Sequence, residues 1–147
     1  MFSQTVEYAL RAVVWIAAHE GIPQTASQIA SGTLIPVSYL SKVMQSLGRG
    51  RLASAQRGRG GGFLLSRPAA QISVLEVINS IEPIQRIKVC PLGIEAHGAR
   101  LCPLHKRLDA AMASVEKVFG TTSIAEVLAE PSPSRPLCHI EEAQHVA

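Results

Sequence analysis

The chain has 147 residues, 47% of them apolar but only 4% aromatic, and a formal net charge of +3. That length suits one domain or a small domain with an appendage, and its core must be built mostly from Ala, Val, Leu and Ile. Nothing resembles an export signal, and the apolar run Ala9 to Ala18 is interrupted by Arg11 and too short to cross a bilayer, so the expected compartment is the cytosol, with no membrane partner. In that compartment three cysteines point to metal ligands or redox thiols rather than to a disulfide framework. Residues 1–67 carry seven Lys/Arg against two acids, whereas residues 68–147 carry seven against nine. A basic front joined to a mildly acidic back fits a nucleic-acid-binding module with a second part attached.

Val6, Leu10, Val13, Ile16 and Ala17 recur at helical spacing, which predicts a first helix over Ser3 to His19, ended by Gly21-Ile-Pro23. Thr25 or Ser27 can cap a short second helix through about Ser31, with Gly32 as its stop. Ser38 can cap a third, from Tyr39 to about Leu47, with Leu40, Val43, Met44 and Leu47 facing inward. The opposite face presents Ser38, Tyr39, Ser41, Lys42 and Gln45. Such short polar and basic groups suit phosphates and base edges in a major groove, or equally a plain solvated face.

Two short apolar runs follow, Leu52–Ala55 and Phe63–Leu65, joined by a turn that holds Arg57, Arg59 and glycines at 58, 60, 61 and 62. Glycine takes positive φ freely, so the turn can be tight, and the two arginines give its tip a cationic point. A basic hairpin placed directly after a helix–turn–helix pattern is how a winged helix holds DNA, and it argues against the plain solvated face. The expected fold is therefore mainly α: a winged helix-turn-helix over residues 1–68, with a small β-hairpin wing.

Beyond the wing, Ser73 can cap a helix with Val74, Val77, Ile78 and Ile81 at helical spacing, giving a connecting helix and linker over 69–89. Residues 83–101 look irregular. Leu101, Leu104, Leu108, Ala111, Val115 and Val118 then follow a 3.5-residue repeat. That period suits a helix lying along a partner helix, so a homodimer is expected, although one amphipathic helix can also pack on its own domain. Thr121–Ser123 can cap a last helix, Ile124–Ala129, so that residues 103–130 form a long C-terminal dimerisation helix and a terminal helix. The tail 131–147, with three prolines in its first six residues, is expected to be mobile.

The stretch VCPLGIEAHGARLCPLHKR holds Cys90, His97, Cys102 and His105, a C-x11-C-x2-H spacing with a further histidine between the cysteines. Thiolate and imidazole are ligands of iron–sulfur clusters and of zinc, and an 11-residue loop with two glycines can curl around a small inorganic centre. Each cysteine can instead be a small buried hydrophobe. A Cys102–His105 catalytic pair lacks an orienting acid, and the glycine turn lacks the GK[ST] ending of a phosphate loop, so the chain is not read as an enzyme.

Up to about Glu130 the sequence resembles the IscR/NsrR-like winged-helix regulators, the Rrf-two family. The likeness runs through TVEYALRAVVWIA, PVSYLSKVMQSLGRGRL and RGRGGGFLLSRPAAQISVLEVINSIEP, then the cysteine region and the long helix. It implies a transcriptional repressor whose long helix forms a homodimer. Two recognition helices would enter successive major grooves of an inverted-repeat operator in double-stranded DNA, with the wing arginines in the minor groove. It also implies, as in many members, a [2Fe–2S] or [4Fe–4S] cluster in the 90–102 loop that responds to redox state, nitric oxide or iron–sulfur status. Cys90 and Cys102 match the first and last of the usual three cysteines, and His105 matches the histidine that sometimes follows. The middle cysteine falls at about Ala96, beside His97.

Glu7 falls where some relatives supply a carboxylate ligand from the partner's first helix, and Arg11 falls where one relative has a ligand that arginine cannot replace. The implied set is Cys90 and Cys102 plus two of His105, Glu7 and His97. Such a mixed set suits [2Fe–2S] better than [4Fe–4S], since histidine in place of thiolate raises the reduction potential. Glu7 can alternatively pair with Arg11 at i,i+4. Without a cluster, Cys90 and Cys102 could form a reversible disulfide, or the two cysteines and two histidines could bind zinc. Cys138, in the tail, reads as a free surface thiol.

Overall fold

The structure is a computed structural model and describes residues 1–97, 100–134 and 136; Cys138, most of the expected mobile tail and the His97 side chain lie outside the described residues. Helix α1 (Gln4–Ala18) starts where the Val6 amide donates to Ser3 Oγ at 3.4 Å. Val6, Ala9, Ala12, Val13 and Ile16 along it are at most 1% exposed. It packs against α2 (Ala26–Thr33), α3 (Val37–Arg49), α4 (Val74–Ile81) and α6 (Ile124–Ala129). Its alanines let those neighbours approach closely, as a core poor in aromatics requires.

Helix α2 opens on a capping box in which Thr25 Oγ1 accepts from the Gln28 amide and Gln28 Oε1 accepts from the Thr25 amide, so Thr25 is the cap rather than Ser27. Gly32 does not end this helix. It lies inside, and Leu34 closes α2 with a left-handed φ of 56°. A β-carbon at 32 would strike the Trp15 indole, so glycine is there for close packing. The cap expected at Ser38 is likewise corrected. Pro36 is the N-cap of α3 and Ser38 lies in the first turn, because proline's fixed φ starts a helix and its missing N–H is lost at no cost there. Leu40, Val43, Met44 and Leu47 are buried as their spacing predicted.

The wing is an antiparallel hairpin of β1 (Ala53–Gln56) and β2 (Gly62–Leu65), in the register Ala53↔Leu65 to Gln56↔Gly62. It is fastened at two points. The Leu52 amide donates to the Leu47 carbonyl at 2.9 Å, which ties β1 to the end of α3. Gln24 and Phe63 exchange amide-to-carbonyl bonds of 3.0 and 2.7 Å, and the Trp15 indole N–H holds the buried Gln24 side chain at 2.9 Å. Gly62 leaves room for this seam, since a β-carbon there would strike the Gln24 backbone.

Helices α4 and α6 both begin with Ser/Glu capping boxes, at Ser73–Glu76 and Ser123–Glu126. The two starts are stitched by Val74 N–H to the Thr122 carbonyl and Ile124 N–H to the Ile72 carbonyl, each 2.9 Å. The backbone hydrogen bond at Ser73 lowers the Glu76 pKa from its ordinary 4.5, with the Arg67 guanidinium 2.8 Å away acting in the same direction. A carboxylate lowered in the folded state stabilises the fold above its unfolded pKa and loses that contribution as pH falls through the folded value. Urea unfolding followed from about pH 5 down to pH 3 should therefore fall less steeply for Glu76→Gln than for the parent chain. Ser73→Ala should cost about 1 kcal/mol at neutral pH.

Helix α5 (Pro103–Thr121) packs on α4 yet buries none of its own side chains. Leu104, Leu108 and Val118 stay 45–63% exposed, so the 3.5-residue repeat is not spent on this chain's own core. Among the described residues no helix is long and apolar enough to cross a membrane.

Candidate nucleic-acid interface and thiol–imidazole site

Two surfaces carry the residues singled out by the sequence. The first is the outer face of α3 with the wing tip. The side chains of Ser38, Ser41 and Gln45 are exposed and make no hydrogen bond to any described residue. Lys42 is exposed too, its Nζ 5.7 Å from the Tyr39 ring centroid. Tyr39 is different. Its hydroxyl lies 3.1 Å from Thr5 Oγ1 and its ring meets Tyr8 edge-on at 5.5 Å, so it docks α3 against α1 while staying 37% exposed.

Between β1 and β2, Gly58 and Gly60 have φ of 101° and 74°, and the Gly61 amide donates to the Gly58 carbonyl at 3.0 Å. This loop projects Arg57 and Arg59 into solvent with no partner among the described residues. Arg49 and Arg51, also exposed, add charge at the base of the wing and were not picked out from the sequence. An unpaired cationic tip beside a polar helix face is complementary to a phosphate backbone.

The second surface is the first turn of α5. Cys102 is its N-cap residue, and Cys102 Sγ lies 3.3 Å from His105 Nδ1, one helical turn on. Cys90 is 8% exposed and opens a turn in which the Gly93 amide donates to its carbonyl at 3.0 Å. Among the described residues no three His, Cys, Asp or Glu converge as a metal site. Glu7 is not at this turn. It accepts from Arg11 Nε at 3.1 Å, and Arg11 also donates to the Thr33 carbonyl at 3.3 Å, just before the turn into α3. The structure thus brings Cys102 and His105 together and leaves Glu7 in the i,i+4 ion pair.

One constellation here has no sequence signature. Arg86 donates through Nε and Nη2 to the two oxygens of Asp109, each at 2.7 Å, and through Nη1 to Glu116 at 2.8 Å. The Ile87 amide adds a 2.9 Å bond to Asp109. These bonds lower the Asp109 pKa, the Arg86 hydrogen bonds most, and push that of Arg86 further up. The clamp fixes the segment leading to Cys90 against the helix that carries Cys102 and His105. Its partners lie 23 and 30 residues away in the chain, so no local spacing announces it.

Three helices with a basic two-stranded wing behind the third define a winged helix-turn-helix transcriptional regulator. The chain belongs to the Rrf2 family, described as iron-dependent transcriptional regulators, whose sequence profile matches residues 2–130. It is 32% identical over 127 residues to helix-turn-helix-type transcriptional regulators named in two strains of Mycobacterium tuberculosis, covering 85% of this chain and 79% of theirs. Among solved structures it is similar to CymR, the global cysteine regulator of B. subtilis, with a TM-score of 0.75, 20% identity and coverage of 90% of this chain and 98% of that one. IscR of T. potens superposes with a TM-score of 0.73 at 21% identity, covering 91% and 93%. CymR of Staphylococcus aureus gives 0.69 at 26% identity, covering 90% and 100%. The protein is thus a DNA-binding regulator of transcription, and its fold is that of these regulators.

Proposed function

We propose that the protein is a homodimeric repressor that reads an inverted-repeat operator and senses redox state, nitric oxide or iron–sulfur status through an iron–sulfur cluster, preferentially [2Fe–2S]. The observation that carries the sensing half is the convergence of Cys102 Sγ and His105 Nδ1 at 3.3 Å. Soft thiolate and imidazole are the donors such a group takes, and one chain brings two of them together within a single turn. Cys90 supplies a third donor from the loop, and Glu7 of a second copy the fourth; His97 is the reserve ligand. A bound cluster would supply one-electron redox chemistry.

In DNA binding, Ser38, Tyr39, Ser41, Lys42 and Gln45 face the major groove, and Arg57 and Arg59 reach the minor groove or its phosphates. The domain plan follows the sequence: head 1–68, connection 69–89, ligand loop 90–102, and dimerisation and terminal helices 103–130. The exposed leucines of α5 support the dimer. Coupling runs through α1, which carries Glu7 and also holds Tyr39 and the Thr33 carbonyl. Drawing Glu7 away from Arg11 shifts the helix on which α3 is docked.

A second reading keeps the DNA-binding head and replaces the cluster with a Cys90–Cys102 disulfide or a zinc ion. It is favoured by one neighbour, CymR of S. aureus, 26% identical, which is also known in an oxidized form. The deciding experiment is an ultraviolet–visible spectrum with iron and sulfide analysis on protein purified without oxygen. Charge-transfer bands with two iron and two sulfide per chain are expected, weakened in His105→Ala and Glu7→Gln. A colourless protein that resists reconstitution would transfer the assignment to thiol or zinc switching.

A further inference from the structure

The recognition helix begins with a side chain that no part of this fold uses. Val37, the first residue of α3, is 64% exposed, while the core-facing residues one to three turns on are buried. Valine is a weak helix former and adds nothing to the core when exposed. It lies at the N-terminal end of α3, the end from which such helices contact base edges. At i,i+4 spacing it heads a row with Ser41 and Gln45, whose side chains are exposed and without hydrogen-bond partners among the described residues. That row presents a branched apolar group, then a hydroxyl, then a carboxamide.

The apolar feature in a B-DNA major groove is the C5-methyl group of thymine. We infer that Val37 is a specificity-determining residue that packs on a thymine methyl in each operator half-site. The inference rests on α3 being the helix that enters the groove. The displacement of the cap from Ser38 to Pro36 supports it, since α3 can start with Val37 already projecting from its first turn. Val37 reads shape and hydrophobicity, while Ser38, Ser41, Lys42 and Gln45 read polar edges or phosphates.

The test needs no known operator. The full chain selects binding sites from a random-sequence duplex library, and each thymine of the selected site is replaced singly by uracil, which removes only the C5-methyl. The same scan is run with Val37→Ala, whose folding is checked by its thermal unfolding midpoint; an exposed valine predicts no loss. One thymine per half-site should weaken parent binding about fourfold when changed to uracil and leave Val37→Ala unaffected, the size expected for one buried methyl. A flat scan with a well-defined selected site would overturn the role of Val37 and leave α3 as the recognition helix. A thymine effect that persists in Val37→Ala would overturn it as well. Failure to select any specific duplex would remove the groove-reading assignment itself, and this inference with it.

Discussion

Replacing Arg57 and Arg59 together by alanine should weaken operator binding by a factor of about one hundred or more while leaving the fold unchanged. Each arginine that reads a groove is worth about 1–3 kcal/mol, and the proposed two-fold symmetric complex would apply every loss twice. The folded chain has little to lose, because both side chains are exposed and have no partner among the described residues. The tip is held open for them by backbone geometry, with Gly58 and Gly60 at positive φ and the Gly61 amide bonded to the Gly58 carbonyl. Fluorescence anisotropy with a selected operator at several salt concentrations separates two roles. An arginine on a phosphate lowers the salt slope by about one, whereas a groove-reading arginine lowers discrimination between sequences. Parent-like affinity in the double variant would take the wing out of DNA binding.

Much of this head is legible in the sequence because its signals are local. Leu40, Val43, Met44 and Leu47 mark the inner face of α3 by period alone, and the glycine–arginine turn marks the wing by the conformations only glycine takes readily. Thr25, Ser73 and Ser123 each announce a helix start through a Gln or Glu three residues on. What the sequence hides is contact between distant segments. Tyr39 stands on the polar face by its spacing, but nothing local shows that its hydroxyl and ring also meet Thr5 and Tyr8 of α1. The Cys102–His105 approach follows from i,i+3 spacing on a helix. The Arg86 clamp that holds the other cysteine's segment does not, because it depends on how the 83–89 chain lies along α5.

Gly32 shows the same limit with a measurable consequence. A glycine after a short helical pattern reads as a stop, but here the helix continues through it and the Trp15 indole occupies the space a side chain would need. Gly32→Val should therefore cost about 3 kcal/mol or more, against a total stability on the order of 5–15 kcal/mol for such a domain. Part of that loss should be recovered by Trp15→Leu in the same chain, since the smaller side chain vacates the contested space. On its own, Trp15→Leu removes buried area and leaves Gln24 Oε1 without its 2.9 Å indole donor. Because Gln24 is the residue that pairs with Phe63 of β2, the single variant should also loosen the wing and weaken operator binding more than its lost stability accounts for. Chemical denaturation of the two single variants and the double variant gives the coupling directly, expected at about 1 kcal/mol or more in favour of the double. Strictly additive losses would mean that the indole does not set the choice of glycine at 32, and that α1 and α2 owe their close approach to some other contact.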